Sequence, residues 1–328
     1  MTEWQSFTEA QPQALAEENF ICDASQLGLI LVTGEDARDF LQNQLSNDID
    51  FIDETSHQLS SYSTPKGRML GIFRVIQISN GYLLVTTRSM VLPLLERLFH
   101  FIVQARVNLA DASEHFVRFA IQTDAVEILE HELLARAPGE TLQNDSLISI
   151  QLKPISHQHR FLVLCLDTSE AISLWQQFAV SANPTSFESW KLADIRAGIP
   201  SIYPQTAEEF VLQMANLNAL DAVSFKKGCY PGQEIVARMQ YLGKLKRRMF
   251  LARLKTTQLP EPGDDLVTAN KQEADGSGKV VDAAFDNSGL CHCLYIAQIA
   301  RAEKGELQLL NQQDIQIKNV DLPYPLPE

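Results

Sequence analysis

Short apolar runs that fit the twofold repeat of a β-strand recur through the first half of the chain. Between them lie stretches with apolar residues every three or four positions, the spacing of one helix face. The runs predict strands at Leu27–Val32, Ile72–Ile78, Tyr82–Thr87, Phe116–Ile121, Leu147–Leu152 and Phe161–Leu166. The stretches predict helices at about Gly34–Leu45, Ser89–Val103, Ala125–Ala135 and Ser169–Ala179, with Ser89 capping the second and Thr168 or Ser169 the last.

Two of these strands are joined by Asn80-Gly81, a pair that suits the positive φ angles of a type I′ hairpin turn. Consecutive strands with helices between groups of them favour antiparallel sheets with helices on one face. We therefore predict an α+β fold. The glycine-rich motifs of nucleotide-binding folds, G-x-G-x-x-G after a strand and G-x-x-x-x-G-K-[ST], do not occur in the sequence.

The second half of the chain changes character along its length. Ser186 can cap a helix that carries Trp190 and ends at Ala197-Gly198-Ile199-Pro200. After about Met249, short strands separated by Gly, Pro and Asp predict a small all-β domain, a barrel or a jelly-roll. These strands are predicted at Met249–Leu254, Gly278–Phe285, Leu290–Ile299, Glu306–Leu310 and Ile315–Val320.

The composition is that of a globular protein. The 328 residues are 45% hydrophobic and 21% charged, which provides apolar material for two or three packed domains. No apolar stretch approaches the roughly 20 residues of a membrane-spanning helix, and the polar N-terminus lacks the pattern of a secretory signal. Five cysteines without framework spacing indicate free thiols in a reducing compartment. We therefore expect a cytoplasmic protein without membrane contact.

The net charge of −14 disfavours long-range attraction to nucleic acid. The charge is uneven, because the segment from Lys226 to Arg248 holds seven basic residues and one acid. This basic segment carries +6 and leaves −20 for the rest of the chain. It is either a solvated surface or a site for an anionic ligand or an acidic partner.

The densest chemistry in the sequence is Lys226-Lys227-Gly228-Cys229-Tyr230-Pro231-Gly232-Gln233-Glu234. Pro231 and Gly232 suit the central positions of a type II turn; alternatively, Pro231 is the first residue of a helix running to Gln240. In both cases Cys229 lies at or just before a helix N-terminus, where backbone N–H groups and nearby ammonium groups favour the thiolate. Cys229 is therefore either an activated thiol or an ordinary small residue in a tight turn.

Two further features have both a structural and a functional interpretation. Cys291-His292-Cys293 would place two thiols on one face of a strand, but no second ligand pattern completes a zinc site, so we predict no metal. Trp190 is either a core residue of its helix or the flat wall of a site for a planar heterocycle.

The segment Val223–Arg238 resembles the signature of the YgfZ family, folate-binding proteins related to the T-protein (aminomethyltransferase) of the glycine cleavage system. Lys227–Glu234 matches every fixed position of the family pattern K-G-C-Y-x-G-Q-E. The resemblance extends to the stretch from Trp190 to Pro200, to Phe210–Leu217, to Thr64-Pro65-Lys66-Gly67-Arg68 and to the tail at Leu322-Pro323-Tyr324.

This resemblance implies a T-protein-like fold, with two interleaved α/β subdomains, one of them ferredoxin-like, in residues 1–245 and a C-terminal β-barrel in residues 246–328. It implies tetrahydrofolate or a one-carbon derivative as the ligand. It also implies an accessory role in the assembly or repair of iron–sulfur clusters, which affects tRNA modification indirectly through cluster enzymes. Expected partners are iron–sulfur assembly proteins or cluster enzymes, and no direct contact with nucleic acid.

The resemblance also implies which residues carry the function. Cys229 is the expected functional thiol, with Lys227 supporting it. The residues expected at the folate are Trp190, Gln213, Lys226, Gly228, Tyr230, Gly232, Gln233 and Glu234.

Three positions depart from the pattern of the relatives. Leu212 stands where the family has a proline, Arg196 where T-proteins often have a glutamate suited to the pterin, and Leu27 where some relatives have an aromatic residue. Arg196 and the cysteine signature argue against a true aminomethyltransferase, which stays an alternative together with a non-enzymatic folate-sensing scaffold. The residues leave open whether the chain turns over a substrate by itself.

Overall fold

The computed structural model describes residues 2–241, 243, 245–268, 271, 273–312 and 315–327, so Lys244 of the basic segment lies outside the described residues. The chain forms two compact units, each assembled from three separate stretches. One unit consists of Met1–Gln42, Asp48–Gln58 and Phe73–Trp190, and the other of Asn43–Asn47, Leu59–Ile72 and Lys191–Glu328. The predicted domain boundary at residue 245 stays a prediction.

The structure contains the strands and helices that the hydrophobic pattern predicts, with shifted ends, together with further strands and helices that the pattern misses. The strands are β1 (Phe20–Asp23), β2 (Leu27–Thr33), β3 (His57–Ser63), β4 (Met69–Ile78), β5 (Gly81–Thr87), β6 (Asn108–Asp111), β7 (Val117–Thr123), β8 (Thr141–Gln143), β9 (Leu147–Ile155), β10 (Gln158–Cys165), β11 (Asn183–Thr185), β12 (Arg247–Leu254), β13 (Asp265–Thr268), β14 (Gly278–Phe285), β15 (Cys291–Gln298), β16 (Leu307–Leu309) and β17 (Ile317–Val320). The helices are α1 (Glu3–Glu9), α2 (Ala37–Gln44), α3 (Val91–Phe99), α4 (Val126–Leu129), α5 (Thr168–Phe178), α6 (Phe187–Arg196), α7 (Gln233–Tyr241) and α8 (Ile299–Glu303).

A six-stranded sheet with the strand order β11-β1-β7-β10-β9-β8 organises the first unit. Its pairings are antiparallel except that of β1 with β11. Helix α5 presents Ala171, Leu174, Trp175 and Phe178, the three-and-four spacing of one helix face. These side chains are buried in one cluster with alternate residues of β7 and β10. The helix therefore covers one face of an antiparallel sheet, as expected for an α+β fold.

A five-stranded sheet has the order β3-β4-β5-β2-β6. The predicted hairpin of β4 and β5 is present, with Ile78 opposite Gly81. The predicted type I′ turn is wrong, because Asn80 does not adopt a positive φ. Gly81 is required for a different reason: a Cβ there would lie 2.1 Å from the carbonyl oxygen of Val32 on β2.

Several helix boundaries differ from the predictions. Helix α3 begins at Val91, after a 3₁₀ turn, so Ser89 does not cap it. Helix α5 is capped by Asp167, one residue before the predicted caps, whose side chain accepts from the Glu170 backbone N–H at 2.7 Å. The third predicted helix is limited to Val126–Leu129. Caps depend on the local backbone geometry, which periodicity alone does not specify.

The second unit contains the predicted all-β region. Six antiparallel strands form one sheet in the order β16-β13-β14-β15-β12-β17, which curls into a half-barrel. The stacked rings of Phe250 and Tyr295, with centroids 5.4 Å apart, lie in its core. The sequence pattern misses β13, since it has only two apolar residues, Leu266 and Val267.

The elements confirm the predicted α+β class. Within the described part of the chain, no helix is both long enough and apolar enough to cross a membrane.

Candidate functional site

Cys229 is the exposed thiol of this protein. The four other cysteines, Cys22, Cys165, Cys291 and Cys293, are buried, and all five are free thiols. Burial raises the pKa of Cys165 and of Cys291 to about 12. A reagent or substrate that requires a thiol therefore meets Cys229 first.

The backbone after Cys229 forms the type II turn that the sequence predicts. The Gln233 N–H donates to the carbonyl oxygen of Tyr230 at 3.1 Å, and Gly232 has φ +83°. Helix α7 starts at Gln233, so Pro231 is not its first residue and that alternative is wrong. Cys229 lies four residues before the helix, and Gly228 beside it leaves open space, with no heavy atom within 4 Å of an added Cβ.

Lys227 anchors the base of this loop. Its side chain is 7% exposed, and Nζ donates to the carbonyl oxygens of Leu45 at 2.8 Å and Asn47 at 2.7 Å. The ammonium group also lies 5.5 Å from the centre of the Tyr230 ring. A buried cation with charge-assisted hydrogen bonds holds a loop more firmly than neutral contacts do. Lys227 therefore attaches the loop that carries Cys229 to the backbone of Leu45 and Asn47.

The segment Leu45–Asn47 is the part of the site that the sequence analysis missed. The Ser46 hydroxyl donates to the carbonyl oxygen of Ala222 at 2.8 Å, and the Asn47 amide donates to that of Asp221 at 2.8 Å. The Ser224 N–H donates back to the Ser46 carbonyl oxygen at 3.0 Å. These residues carry no chemical motif and lie more than 170 positions from their partners, so no local signal identifies them.

A second sequence motif packs directly under the turn. Thr64–Arg68 forms a tight turn, in which the Gly67 N–H donates to the Thr64 carbonyl oxygen at 2.8 Å. A Cβ on Gly232 would lie 2.6 Å from the Gly67 Cα and 2.7 Å from the Thr64 carbonyl oxygen. The structure therefore brings together two segments that carry the family resemblance, and a glycine is required at the point of contact.

Gln213 joins a third motif to the same region. It is 4% exposed, and its Nε2 donates to the carbonyl oxygen of Val236 on α7 at 2.6 Å. Its Oε1 is buried and has no hydrogen-bond partner among the described residues. A buried acceptor without a donor is costly, so this oxygen is a candidate for a ligand N–H.

The remaining predicted residues differ in accessibility. Lys226 and Glu234 are exposed, whereas Gln233 is half-buried and its amide donates to the Lys227 carbonyl oxygen at 3.4 Å. Tyr230 is 7% exposed, and burial raises the pKa of its phenol to about 12. Tyr230 therefore presents little of its ring to a ligand in this conformation.

Trp190 belongs to the first unit, whereas the Cys229 loop belongs to the second. Its side chain is 2% exposed, and the Arg160 guanidinium lies 4.3 Å from the ring centre. A cation over a buried indole is a stabilising core contact. This geometry favours the core interpretation of Trp190, and the predicted folate contact stays a prediction.

Some side chains of the basic segment are engaged in contacts within the protein. Arg248 pairs with Glu303 at 3.1 Å, and its guanidinium lies 4.9 Å from the centre of the Phe250 ring. Arg247 donates to the Gly276 carbonyl oxygen. Lys226 and Arg238 are exposed and keep their charge at the surface. Within the described residues, no group of three or more His, Cys, Asp or Glu side chains could hold a metal ion.

Comparison with known proteins assigns the chain to a family. A protein named tRNA-modifying protein YgfZ from Colwellia psychrerythraea is 30% identical over 328 residues, which cover 97% of this chain and 98% of that protein. The chain belongs to the YgfZ family. The YgfZ proteins of Hamiltonella defensa and Escherichia coli are 31% and 29% identical, and the matches cover 78% and 73% of this chain and 76% and 73% of those proteins. No protein-family model matches the chain.

The fold is shared with a solved structure. The glycine cleavage system aminomethyltransferase T from Bartonella henselae superposes with a TM-score of 0.69, covering 98% of this chain and 88% of that one. Because the two sequences are only 14% identical, this likeness establishes the T-protein fold and no more.

The departures from the YgfZ and T-protein patterns have structural consequences. The Arg196 side chain is bound within the protein. Its guanidinium lies 3.5 Å from the Asp286 carboxylate and 3.2 Å from Nε2 of His292. The same His292 nitrogen lies 3.0 Å from the Asp286 carboxylate. Burial lowers the pKa of His292. Leu212 is fully buried, so an apolar side chain fills the position of the family proline. Leu27 is half-buried at the start of β2.

Proposed function

We propose that this YgfZ protein binds tetrahydrofolate or a one-carbon derivative and uses Cys229 as its working thiol in the assembly or repair of iron–sulfur clusters. Its effect on tRNA modification is then indirect, through the enzymes that need those clusters. Its partners are iron–sulfur assembly proteins or cluster enzymes in the cytoplasm. Relatives named for tRNA modification and the fold of an aminomethyltransferase support this proposal.

The observation that carries the proposal is the contrast between Cys229 and the other four cysteines. Cys229 is exposed on a loop that is fixed at three points: the Lys227 hydrogen bonds, the type II turn and the Gly232 contact. The loop therefore presents a thiol at a defined position without burying it. Such a thiolate can ligate iron transiently. It can also add to the methylene carbon of a 5,10-methylene folate, forming a C–S bond as the bond from that carbon to N10 breaks and N10 takes up a proton.

Three local features fit a folate. The Gln213 Oε1 can accept a hydrogen bond from a pterin N–H, since it lacks a donor among the described residues. The open space at Gly228 lets a ligand approach the backbone beside Cys229, and exposed Lys226 can attract the anionic glutamate tail. The bound folate would supply the one-carbon unit, while this chain's residues would orient it and provide the thiol.

The folate part is tested by calorimetric titration of tetrahydrofolate under anaerobic, reducing conditions. We expect saturable micromolar binding to the wild type, and binding weakened about two- to fivefold in Lys226→Ala, the range of one exposed ion pair. Lys304→Ala is the matched control, because Lys304 is also exposed but lies in another part of the second unit. A folded wild-type protein that does not bind tetrahydrofolate would reject this part of the proposal.

The thiol part is tested by Cys229→Ser in cells that lack the wild-type protein. We expect the variant to fold and to bind folate, but not to restore the activity of iron–sulfur enzymes. Full restoration would remove the thiol from the mechanism.

The shared T-protein fold favours one second candidate, transfer of an aminomethyl group from a lipoyl carrier protein to tetrahydrofolate. Arg196 cannot accept hydrogen bonds as the glutamate of T-proteins can, and it is paired with Asp286. Turnover of an aminomethyl-lipoyl carrier with tetrahydrofolate would decide for this candidate.

A further inference from the structure

The position of Cys229 depends on a contact between two glycines from distant parts of the sequence. Gly67 and Gly232 both have positive φ, +72° and +83°. A Cβ on Gly232 would meet backbone atoms at 2.6–2.9 Å, closer than backbone can tolerate. A Cβ on Gly67 would meet the Ile235 Cβ and Cγ2 at 3.1 and 3.2 Å. Gly232 therefore lies against the backbone of the Thr64–Arg68 turn, and the Ile235 side chain lies beside Gly67.

The Thr64–Arg68 turn is itself held by hydrogen bonds to residues 208–210. The Met69 N–H donates to the Phe210 carbonyl oxygen at 2.8 Å, and the Glu208 N–H donates to the Met69 carbonyl oxygen at 2.8 Å. The Arg68 guanidinium donates to the Glu209 carbonyl oxygen at 2.6 Å. A turn fixed in this way resists displacement, so part of a change at the glycine contact is transmitted to the Cys229 loop.

We propose that Gly67 is a positioning residue for the Cys229 thiol. The Gly67–Gly232 contact sets the distance between the Cys229 loop and the Thr64–Arg68 turn. The inference rests on the proposed function in one respect, that Cys229 is the working thiol. The Thr64–Arg68 turn also places exposed Lys66 next to the residue that makes this contact.

The test compares three glycine-to-alanine variants of the full chain. Gly232→Ala, Gly67→Ala and Gly289→Ala all place a methyl group at a positive φ, but Gly289 has no heavy atom within 4 Å of the added carbon. Gly289→Ala therefore controls for backbone strain without a clash. The readouts are the rate of Cys229 alkylation as a function of pH and the ratio of the rates with anionic iodoacetate and neutral iodoacetamide.

We expect the rate of alkylation with iodoacetamide at neutral pH to change by about threefold in Gly67→Ala and about tenfold in Gly232→Ala, because a displaced loop changes the surroundings and the accessibility of the thiol. The preference for iodoacetate changes in the same order, and Gly289→Ala matches the wild type. If Gly67→Ala does not fold, Ile235→Ala is measured instead: it keeps the Ile235 Cβ but removes the Cγ2 beside Gly67, and the same two readouts should change.

Two results separate the inference from the function on which it rests. A reactive wild-type thiol whose rate, pH profile and reagent preference stay unchanged in Gly67→Ala, Gly232→Ala and Ile235→Ala would overturn the positioning role alone. A wild-type Cys229 that does not react with either reagent would overturn the proposed thiol function and the inference together.

Discussion

Replacing Lys227 by methionine tests whether the thiol loop is held by one buried ammonium group. Methionine has a similar length but no donor, so Lys227→Met leaves the carbonyl oxygens of Leu45 and Asn47 without their partner. The hydrogen bond to Leu45 is buried and that to Asn47 is partly buried, so water replaces only the second one.

An unsatisfied buried acceptor costs about 1–3 kcal/mol, and hydrogen bonds to charged groups contribute about 1.5–3 kcal/mol. With one acceptor orphaned and the other rehydrated, we expect the free energy of unfolding to fall by about 2–4 kcal/mol. The loss of the contact between the Lys227 ammonium and the Tyr230 ring, 5.5 Å apart, contributes to the same change.

The assay is urea unfolding followed by far-ultraviolet circular dichroism, together with hydrogen exchange of the residues around Asn47. Lys226→Met is the matched control, since it removes the same charge one position away from an exposed side chain. We expect the control to change the free energy of unfolding by less than about 0.5 kcal/mol. Equal effects of the two substitutions would show that net charge, and not the two carbonyl contacts, makes Lys227 important.

Three further predictions follow from burial, charge and backbone geometry. One equivalent of iodoacetamide per chain should react at Cys229 in the native protein and five in urea, counted by peptide mass mapping; native labelling of a buried cysteine would contradict the burial pattern. Burial raises the pKa of Asp286, but hydrogen bonds from Ser288 and His292 outweigh it and lower this pKa to about 2. Asp286 therefore stabilises the fold above its unfolded pKa of about 3.9, and the contribution is lost as the pH falls toward 2. Asp286→Asn should thus be destabilised at pH 7 and should lose less stability than the wild type between pH 4 and 2; parallel pH profiles from urea unfolding would refute this. Gly198→Ala should cost more than Gly305→Ala in thermal unfolding, because both have positive φ, but only at Gly198 would the methyl group lie 2.7 Å from the Tyr324 ring. We expect Gly305→Ala to lower the free energy of unfolding by about 1 kcal/mol through backbone strain alone. Equal losses in the two variants would mean that the C-terminal tail moves away from the added methyl group at no cost.

Local physics explains why much of the fold can be predicted from the sequence. A run such as Leu147–Leu152 forms a strand because its side chains are buried, with a strand paired on each side of it. The Pro231-Gly232 pair specifies its type II turn since proline fixes one φ and glycine permits the positive φ of the next residue. In both cases the information lies within a few residues.

Local signals failed where a neighbour distant in sequence determines the geometry. Gly81 reads as a turn glycine, yet the carbonyl oxygen of Val32 on another strand is what excludes a side chain there. Asp167 caps α5 in place of the predicted Thr168 or Ser169, because the backbone conformation at the end of β10 places its carboxylate over the first turn.

The sequence alone determined the class of fold, the family resemblance and the cysteine around which the function is proposed, because periodicity, turn chemistry and an eight-residue motif are all local. Only the tertiary structure showed that Lys227 is bound to Leu45 and Asn47, that Gly67 lies against Gly232, and that Trp190 is buried under Arg160. These contacts join segments separated by roughly 30 to more than 160 residues. Such pairs form only when the whole chain packs in three dimensions, because the residues on either side of a position in the sequence do not specify which distant backbone will lie against it.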